Sequence, residues 1–339
     1  MTHASSLRSW GLAAAGALCV AGVLLAPQVT DTFALLALTV YLVMAMLALS
    51  LAFVWGFGGI LCFGQAAFFG LGAYAYAIGA INFGPGVAAL LLSVAVPAVF
   101  AALLGYFMFY GRISDVYLGV ITLAVTLILF NLANSTSGSE YRIGEALLGG
   151  FNGIPSIPTL TLPGHDSPLE PEGLFRLVGL LLIAAYVGLR LLLRTRFGQV
   201  VVAVRENERR AELLGYDARL HKLLAFALGG AIAGLAGCLY ANWGAFVNPG
   251  VFSLAQSAQI IIWVIVGGRG TLIGPMIGCV GIQWMVTALG GQQTVDTGLV
   301  LGVVLAAFVM LIPRGIAPTV MGWFAPRARP VATGQERVR

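Results

Sequence analysis

The residues best able to do chemistry are concentrated in one stretch of the chain, from Gly198 to Lys222. Nine of the residues from 205 to 222 are charged, in a chain in which only 9% of all residues are charged. On a single helix Glu206 would lie four residues before Arg210, a favourable spacing for an ion pair, and Gly215 would suit the helix end. A partly apolar face would be formed by Ala203, Val204, Ala211, Leu213 and Leu214. This pattern favours a helix that docks onto a soluble partner, and the alternative is a solvated connecting loop.

Catalytic and metal-binding patterns do not accompany this stretch. The cysteines and histidines stand singly, without a CxxC pair or a ligand spacing. They are Cys19, Cys62, Cys238, Cys279, His3, His165 and His221. A GxxxxGK[ST] phosphate-binding loop is also missing from the sequence. We therefore expect no catalytic residue, no metal site and no cofactor held by this chain itself.

The composition is that of a membrane protein. Hydrophobic residues make up 59% of the sequence and charged residues 9%, whereas a soluble domain carries about 25% charged residues. The net charge of +5 comes from loops and not from a basic stripe along one face, which argues against nucleic-acid binding. We expect membrane lipid to surround the chain and no nucleic acid to bind it.

Ten apolar runs predict membrane-spanning helices. The first run follows Arg8 and also fits a signal peptide, but we interpret it as a retained span because a second run follows almost at once. The predicted fold class is therefore an all-α integral membrane protein with about ten transmembrane helices and glycine-broken segments. The predicted spans are Gly11–Ala26, Phe33–Val54, Ala66–Ile81, Val87–Phe109, Val116–Ala133, Leu174–Leu193, Leu223–Ala245, Val251–Gly268, Leu272–Leu289 and Leu299–Ile312.

Polar and glycine-rich segments divide these spans. Residues 135–173 form a long polar loop that we expect to cover one mouth of the bundle, and residues 194–222, here called the charged segment, connect the sixth and seventh spans. Residues 1–326 are predicted to form a single transmembrane domain, and residues 327–339 a basic, disordered tail. Glycine lets the backbone leave helical geometry, and the predicted helix breaks are Gly58, Gly59, Gly64, Gly267, Gly268 and Gly270.

The distribution of basic residues predicts the orientation. With the N-terminus inside, sixteen of the 18 Lys and Arg residues fall in inner segments, and only Arg142 and Arg176 fall outside. Both termini and the charged segment are therefore expected in the cytoplasm, and residues 135–173 on the outer side.

The predicted spans hold no group that would drive transport. No Asp, Glu, Lys or His lies near the middle of any span, where ion-driven carriers usually place ionisable groups. A nucleophile with a base, as an intramembrane hydrolase needs, is also missing. A transporter of this kind must take its energy from another subunit, which favours the docking interpretation of the charged segment.

Four sequence blocks occur in an order and spacing that resemble a known family. The first is Gly58-Gly59 with Phe63-Gly64-Gln65-Ala66-Ala67-Phe68, and the second is Asn152-Gly153-Ile154. The third is Ala203 to Glu208 with Ala211, Gly215 and the run from Lys222 to Tyr240, and the fourth is Gly267-Gly268 with Gly270-Thr271 and Gly274-Pro275. The chain resembles the inner-membrane permease subunits of bacterial ABC importers for branched-chain amino acids, specifically the second, longer permease type.

This resemblance implies a set of partners and a location. The expected partners are a homologous second permease, two cytoplasmic ATPase subunits that bind ATP and Mg²⁺, and a periplasmic binding protein. The expected location is the bacterial inner membrane. The charged segment would transmit the motion of the ATPases through Arg205, Glu206, Asn207, Glu208, Arg209, Arg210, Ala211 and Gly215.

The substrate and its path are less well specified. Uncharged polar groups beside glycine breaks are the candidates for the translocation path: Gln65, Asn131, Asn134, Asn248, Gln256, Ser257 and Gln259. Leu214-Gly215-Tyr216 and the run from Gly267 to Leu272 also resemble the urea-importing branch of the family, and Arg209-Arg210 depart from many amino acid permeases. A urea or short-chain amide permease, an ion-coupled secondary carrier and a membrane scaffold remain as alternatives.

Overall fold

A computed structural model of the chain describes residues 16, 20–161, 169–290, 302 and 319. Six helices in this part of the chain are long and apolar enough to cross a membrane. They are α2 (Thr32–Leu51, continued by a π-helical turn at Ala52–Phe57), α3 (Gln65–Phe83), α4 (Val87–Tyr110), α5 (Asp115–Ser135), α6 (Pro171–Leu192) and α9 (Ala218–Gly244). Each begins and ends within about five residues of a run predicted from the sequence.

The remaining elements are shorter. Three apolar helices are α1 (Val20–Val29), α10 (Leu254–Gly267) and α11 (Ile273–Gly290). Two polar helices, α7 (Arg196–Glu206) and α8 (Glu208–Leu213), lie between α6 and α9, and a small antiparallel hairpin joins β1 (Arg142–Ile143) to β2 (Ala146–Leu147). Half of the run predicted at Gly11–Ala26, the tenth run apart from Gly302, and the C-terminal tail lie outside the described residues.

The centre of the bundle is the close packing of α3, α4 and α9. A Cβ at Gly72 of α3 would overlap the backbone of Gly234 on α9, and a Cβ at Gly234 would overlap the Pro97 ring of α4. Small residues bring helix backbones this close in membranes, where dispersion replaces the hydrophobic effect as the main attraction. Phe68 and Phe226 then meet edge to face, with ring centroids 5.3 Å apart.

The helices around this centre differ in how much surface they bury. In the most apolar 18-residue stretch of α2, 67% of the residues are buried, and α2 contacts α6, α9, α10 and α11. In the corresponding stretches of α4 and α5, only 22% of the residues are buried. These two helices therefore present broad apolar faces outward, suited to lipid or to another membrane subunit.

The polar loop after α5 packs across one end of the bundle. Its Ile154 pairs with Val247 in an isolated β-bridge. The Leu160 amide donates to Asn242 Oδ1 at 2.6 Å, and the Tyr76 hydroxyl donates to the Pro158 carbonyl at 3.0 Å. These contacts hold the loop against α3 and α9 at the end opposite to α7 and α8.

The chain enters α10 through a turn that reaches into the bundle. The sequence predicts one helix from Val251 to Gly268, but the structure has a 3₁₀ turn at Pro249–Phe252 and begins α10 only at Leu254. Phe252 lies against Gly70 and stacks on Tyr74 of α3, with ring centroids 5.6 Å apart. Asn248 and Pro249 cause the difference, because the Asn248 side chain accepts a hydrogen bond from the Gly250 amide and proline favours a turn.

The close approach of α3 to α9 gives a first prediction. Replacing Gly72 by Leu should destabilise the protein by about 1–3 kcal/mol through overpacking. Gly188→Leu on α6 is the matched control, because a Cβ there would meet no atom within 4 Å. The stability of each variant is measured as the thermal unfolding midpoint of the detergent-purified protein. Equal midpoints for the two variants would contradict this packing.

Candidate coupling site and inner helix breaks

The charged segment folds as a compact unit of three capped helices. The Thr195 hydroxyl accepts from the Gly198 amide at the start of α7, Asn207 Oδ1 accepts from the Arg210 amide at 2.9 Å at the start of α8, and Asp217 Oδ1 accepts from the Leu220 amide at 3.1 Å at the start of α9. Such side chains satisfy amides that have no partner within their own helix. The local sequence therefore specifies where each of the three helices starts.

A small apolar core holds this unit together. Val200 and Val204 of α7, Ala211 of α8 and Ala218 of α9 form a separate buried cluster. An ion pair between Lys222 Nζ and Glu208 Oε2, at 2.6 Å, also ties α9 to α8. Because α7, α8 and the start of α9 share one core, the charged segment is packed as one unit.

The single helix expected from Arg205 to Gly215 is two helices in the structure. Asn207 is extended (φ −159°, ψ 98°) and separates α7 from α8. The predicted pair between Glu206 and Arg210 does not form, since Glu206 pairs with Arg205 instead. Gly215 follows α8 with φ +88°, and its amide donates to the Glu212 carbonyl at 2.9 Å. It therefore has the positive φ that a helix end of this kind favours.

The tip of the charged segment exposes apolar side chains. Leu213 is 82% exposed, Leu214 is 73% exposed and Tyr216 is 47% exposed. The sequence predicts that both leucines lie on a helix face together with Ala211, but α8 ends at Leu213, so Leu214 lies beyond the helix. The apolar tip, residues Leu213 to Tyr216, is flanked by the exposed charges of Arg209, Arg210 and Glu212.

A cleft of about 510 Å³ separates α8 from the turn between α4 and α5. Its charged lining includes Arg112, Arg209 and Arg219 together with Asp115 and Glu212. Both signs of charge therefore face this opening, next to the apolar tip.

The chain leaves α2 through a non-helical segment that runs along α5. After the π-helical turn, Gly59 has φ +70° and the backbone stays irregular to Gly64. The Phe63 amide donates to Thr122 Oγ1 at 3.1 Å, and Gly64 lies against the Thr122 backbone. Irregular backbone within a membrane protein needs such partners.

The first residue of α3 ties this segment to the middle of the bundle. Gln65 Nε2 donates to Ser50 Oγ at 2.8 Å and to the Gly229 carbonyl at 3.3 Å. Ser50 lies seven residues before the end of the π-helical turn at Phe57, which is about 10 Å along a helix. The segment from Gly58 to Gly64 therefore returns well inside the bundle before α3 starts.

The late glycines form the matching turn between α10 and α11. Gly267 ends α10, and a Cβ there would overlap the Gly274 carbonyl. Gly268 has φ +102°, whereas a Cβ at Gly270 would meet no atom within 4 Å. Two of these three positions thus require glycine for geometric reasons.

Both turns meet at the end of α2. The Arg205 guanidinium donates through Nη1 to the Gly56 carbonyl, and the Arg269 guanidinium lies 5.2 Å from the centroid of the Trp55 ring. Adjacent residues of the π-helical turn are therefore contacted by α7 and by the α10–α11 turn.

The candidate path residues on α3 and α10 are mostly inside the bundle. Gln65 and Ser257 are each 2% exposed, and the Ser257 hydroxyl has no hydrogen-bond partner among the described residues. Gln259 Nε2 donates to Gln283 Oε1 of α11 at 3.1 Å, and Gln256 Nε2 lies 3.9 Å from Met44 Sδ of α2. These four residues lie in the layer between α2, α3, α10 and α11.

The other candidates have local roles. Asn134 Nδ2 donates to the Phe130 carbonyl of its own helix at 2.9 Å, and Asn248 caps the 3₁₀ turn. Asn131 is exposed on the outward face of α5. The seven candidates therefore do not line one continuous surface.

Three buried polar residues were missing from the sequence-based set. They are Ser50, Thr122 and Asn242, and each is at most 3% exposed. Ser50 accepts a hydrogen bond from the Gln65 side chain, Thr122 from the Phe63 amide and Asn242 from the Leu160 amide. A polar residue within a long apolar run was the available signal. It does not reveal which segment supplies the donor.

Comparisons with known proteins agree on one family. A family model described as the permease component of the branched-chain amino acid transport system matches residues 33–312. The high-affinity branched-chain amino acid transport system permease protein LivM of Escherichia coli K12 is 28% identical over 305 residues, which cover 83% of this chain and 69% of the relative. The probable LivM of Methanocaldococcus jannaschii is 26% identical, covering 65% of each chain.

A more distant relative is the Escherichia coli K12 inner membrane ABC transporter permease protein YjfF. It is 32% identical over 150 residues, which cover 41% of this chain and 44% of the relative. No solved structure matches the chain.

Gln65 provides the prediction for this site. Gln65→Leu should cost about 1–3 kcal/mol of stability, because a buried amide and its two hydrogen bonds are lost. Asn131→Leu, at an exposed position of α5, should change stability by less than about 0.5 kcal/mol. Thermal unfolding midpoints and substrate uptake are measured together. Lost uptake with unchanged stability in Gln65→Leu would contradict the structural role and assign Gln65 to the path.

Proposed function

The chain belongs to the family of permease components of branched-chain amino acid transport systems, and on that premise we propose how it works. It is a multi-pass membrane subunit of an ABC importer for branched-chain or closely related hydrophobic amino acids. ATP is hydrolysed by partner subunits, which also hold Mg²⁺, and this chain supplies part of the translocation path.

The observation that carries this proposal is the apolar tip of the charged segment. Leu213 and Leu214 are more than two-thirds exposed and stand among charged residues. Exposed apolar surface with a charged rim marks a protein interface. We propose that the tip enters a cleft of a cytoplasmic ATPase and that Arg209, Arg210 and Glu212 set its orientation.

The partners and orientation follow from the same premise. A homologous permease would cover part of the outward faces of α4 and α5, and two ATPases would bind at the end that carries α7 and α8. A periplasmic binding protein would deliver substrate to the opposite end, at the loop of residues 135–173. The chain would lie in the inner membrane with both termini in the cytoplasm, and residues 1–326 would act as one transmembrane domain.

The rigidity of the charged segment determines what ATP binding can do. Closure of the ATPase pair would displace the apolar tip, and the shared core of Val200, Val204, Ala211 and Ala218 would carry the rest of the unit with it. A flexible loop would absorb the same displacement through its own dihedral angles. Transport is therefore proposed to depend on this small core as well as on the docking surface.

Replacing both tip leucines tests the docking step. Leu213→Asp with Leu214→Asp should reduce copurification of the ATPase subunits by at least about tenfold, because an interface centre tolerates charge poorly. Ile143→Asp is the matched control, since Ile143 is also an exposed apolar residue (50%) but lies in the β-hairpin at the opposite end.

The readout is the amount of ATPase recovered with the affinity-tagged permease from solubilised membranes. The double variant should still insert and elute as a folded protein, because both leucines are exposed. Wild-type recovery of the ATPases with the double variant would contradict docking through the apolar tip.

A further inference from the structure

Arg205 is oriented differently from the other arginines of the charged segment. It lies in the last turn of α7, two residues before the break at Asn207. Its side chain is 32% exposed, and it reaches toward the membrane helices, where Nη1 meets the Gly56 carbonyl. Arg209 and Arg210, a few residues later, are exposed as Arg205 is, so the contact with Gly56 and not burial distinguishes Arg205. The Arg205 guanidinium is therefore engaged with the end of α2.

The carbonyl that Arg205 binds belongs to the end of a helix. The last carbonyls of a helix have no amide partner within it and need another donor. In the π-helical turn of α2, the Phe53 carbonyl accepts from the Gly58 amide at 3.0 Å, and the Trp55 carbonyl accepts from the Gly59 amide at 3.2 Å. The Gly56 carbonyl receives the Arg205 guanidinium, so α7 supplies a cap for α2.

Gly59 makes room for this contact. It has φ +70°, and a Cβ at this position would lie 2.6 Å from Arg205 Cγ and 3.1 Å from Arg205 Cβ. The glycine thus serves both the turn and the passage of the arginine side chain.

The same turn also contacts the α10–α11 turn. Arg269, in the α10–α11 turn, lies over the Trp55 ring at 5.2 Å, and its carbonyl occupies the space that a Cβ at Gly56 would take. A shift of the π-helical turn would therefore also shift the entry into α11.

Arginine suits this position better than lysine because its planar fork can bind two acceptors at once. Nη1 binds the Gly56 carbonyl while Nε donates to Glu206 Oε1 at 3.2 Å. The Glu206 carboxylate thereby orients the guanidinium toward α2.

We infer that Arg205 is a positioning residue that links the charged segment to α2, so that displacement of the segment moves the π-helical turn and, through Arg269, the α10–α11 turn. This inference rests on the proposed function and assigns Arg205 to transmission within the chain, not to ATPase binding. The two connected turns are the glycine-rich helix breaks on the side of α7 and α8.

The test separates binding from transmission in the assembled importer. Wild type, Arg205→Ala, Arg205→Lys and Gly59→Ala are each reconstituted with the partner subunits in lipid vesicles. Arg196→Ala is the control, because Arg196 is an exposed arginine on the same helix. ATPase copurification, ATP hydrolysis and substrate uptake are measured on each preparation.

Arg205→Ala should retain the ATPases and hydrolyse ATP, but the substrate transported per ATP should fall about tenfold, because the hydrogen bond that couples α7 to α2 is lost. Gly59→Ala should show the same uncoupling, because its Cβ displaces the arginine. Arg205→Lys keeps the charge and one donor and should restore about a third or more of the wild-type ratio. Arg196→Ala should behave as wild type.

Two outcomes would overturn the inference. If Arg205→Ala transports with the wild-type ratio, no motion passes through this contact. If it loses the ATPases while wild type and Arg196→Ala keep them, Arg205 is a docking residue. Failure of the wild-type chain to bind ATPases would instead contradict the proposed function, and an unfolded Arg205→Ala would leave Arg205→Lys and Gly59→Ala to decide.

Discussion

The last carbonyls of a helix have no amide partner within it, and at the end of α2 other parts of the chain supply hydrogen-bond donors. This helix passes through a π-helical turn into the irregular segment from Gly58 to Gly64. An unpaired polar group in hydrocarbon costs several kcal/mol. Thr122 of α5, Ser50 of α2 and the Gly229 carbonyl of α9 hold the far end of this segment, and Arg205 holds its beginning. The need to satisfy one helix end therefore connects four parts of the chain.

This constraint explains why charged and apolar parts of the sequence depend on each other. The packing of α3, α4 and α9 uses glycine and alanine surfaces that bring the helix backbones close together, so these helices form the frame of the bundle. The turns after α2 and after α10 are the places where the backbone departs from this frame. The charged segment reaches the first turn through Arg205, and Arg269 joins the second turn to the first. A push on the charged segment is thereby directed to the helix breaks.

The long helices could be predicted from the sequence because their signal is local. Apolar runs such as Val87 to Phe109 exceed the thickness of a membrane, and α4 spans Val87–Tyr110. The break at Asn207 was missed although asparagine is a common N-cap, because the charged sequence around it is equally compatible with one continuous helix. The orientation of α8 relative to α7 depends on the packing of Ala211 against α7 and α9, and this tertiary contact is not encoded in the local sequence.

The candidate site was only partly predictable from the sequence, because many of its contacts join residues that are far apart in the chain. Gly59, Gly267 and Gly268 were recognised as glycines with a backbone role, but their neighbours, such as Arg205 beside Gly59, come from distant parts of the chain. The orientation of Arg205 toward α2 also depends on where α7 ends. Sequence spacing placed this arginine among the docking residues, and only the fold separates it from them.

The most direct measurement is a cryo-electron microscopy structure of the importer assembled with its ATPases, with and without bound ATP. We predict that residues Leu213 to Tyr216 are buried against an ATPase and that Arg205 stays hydrogen-bonded to the Gly56 carbonyl in both states, while the end of α2 moves with α7. An apolar tip that remains in solvent, or an α7 that moves while the end of α2 stays in place, would contradict this prediction.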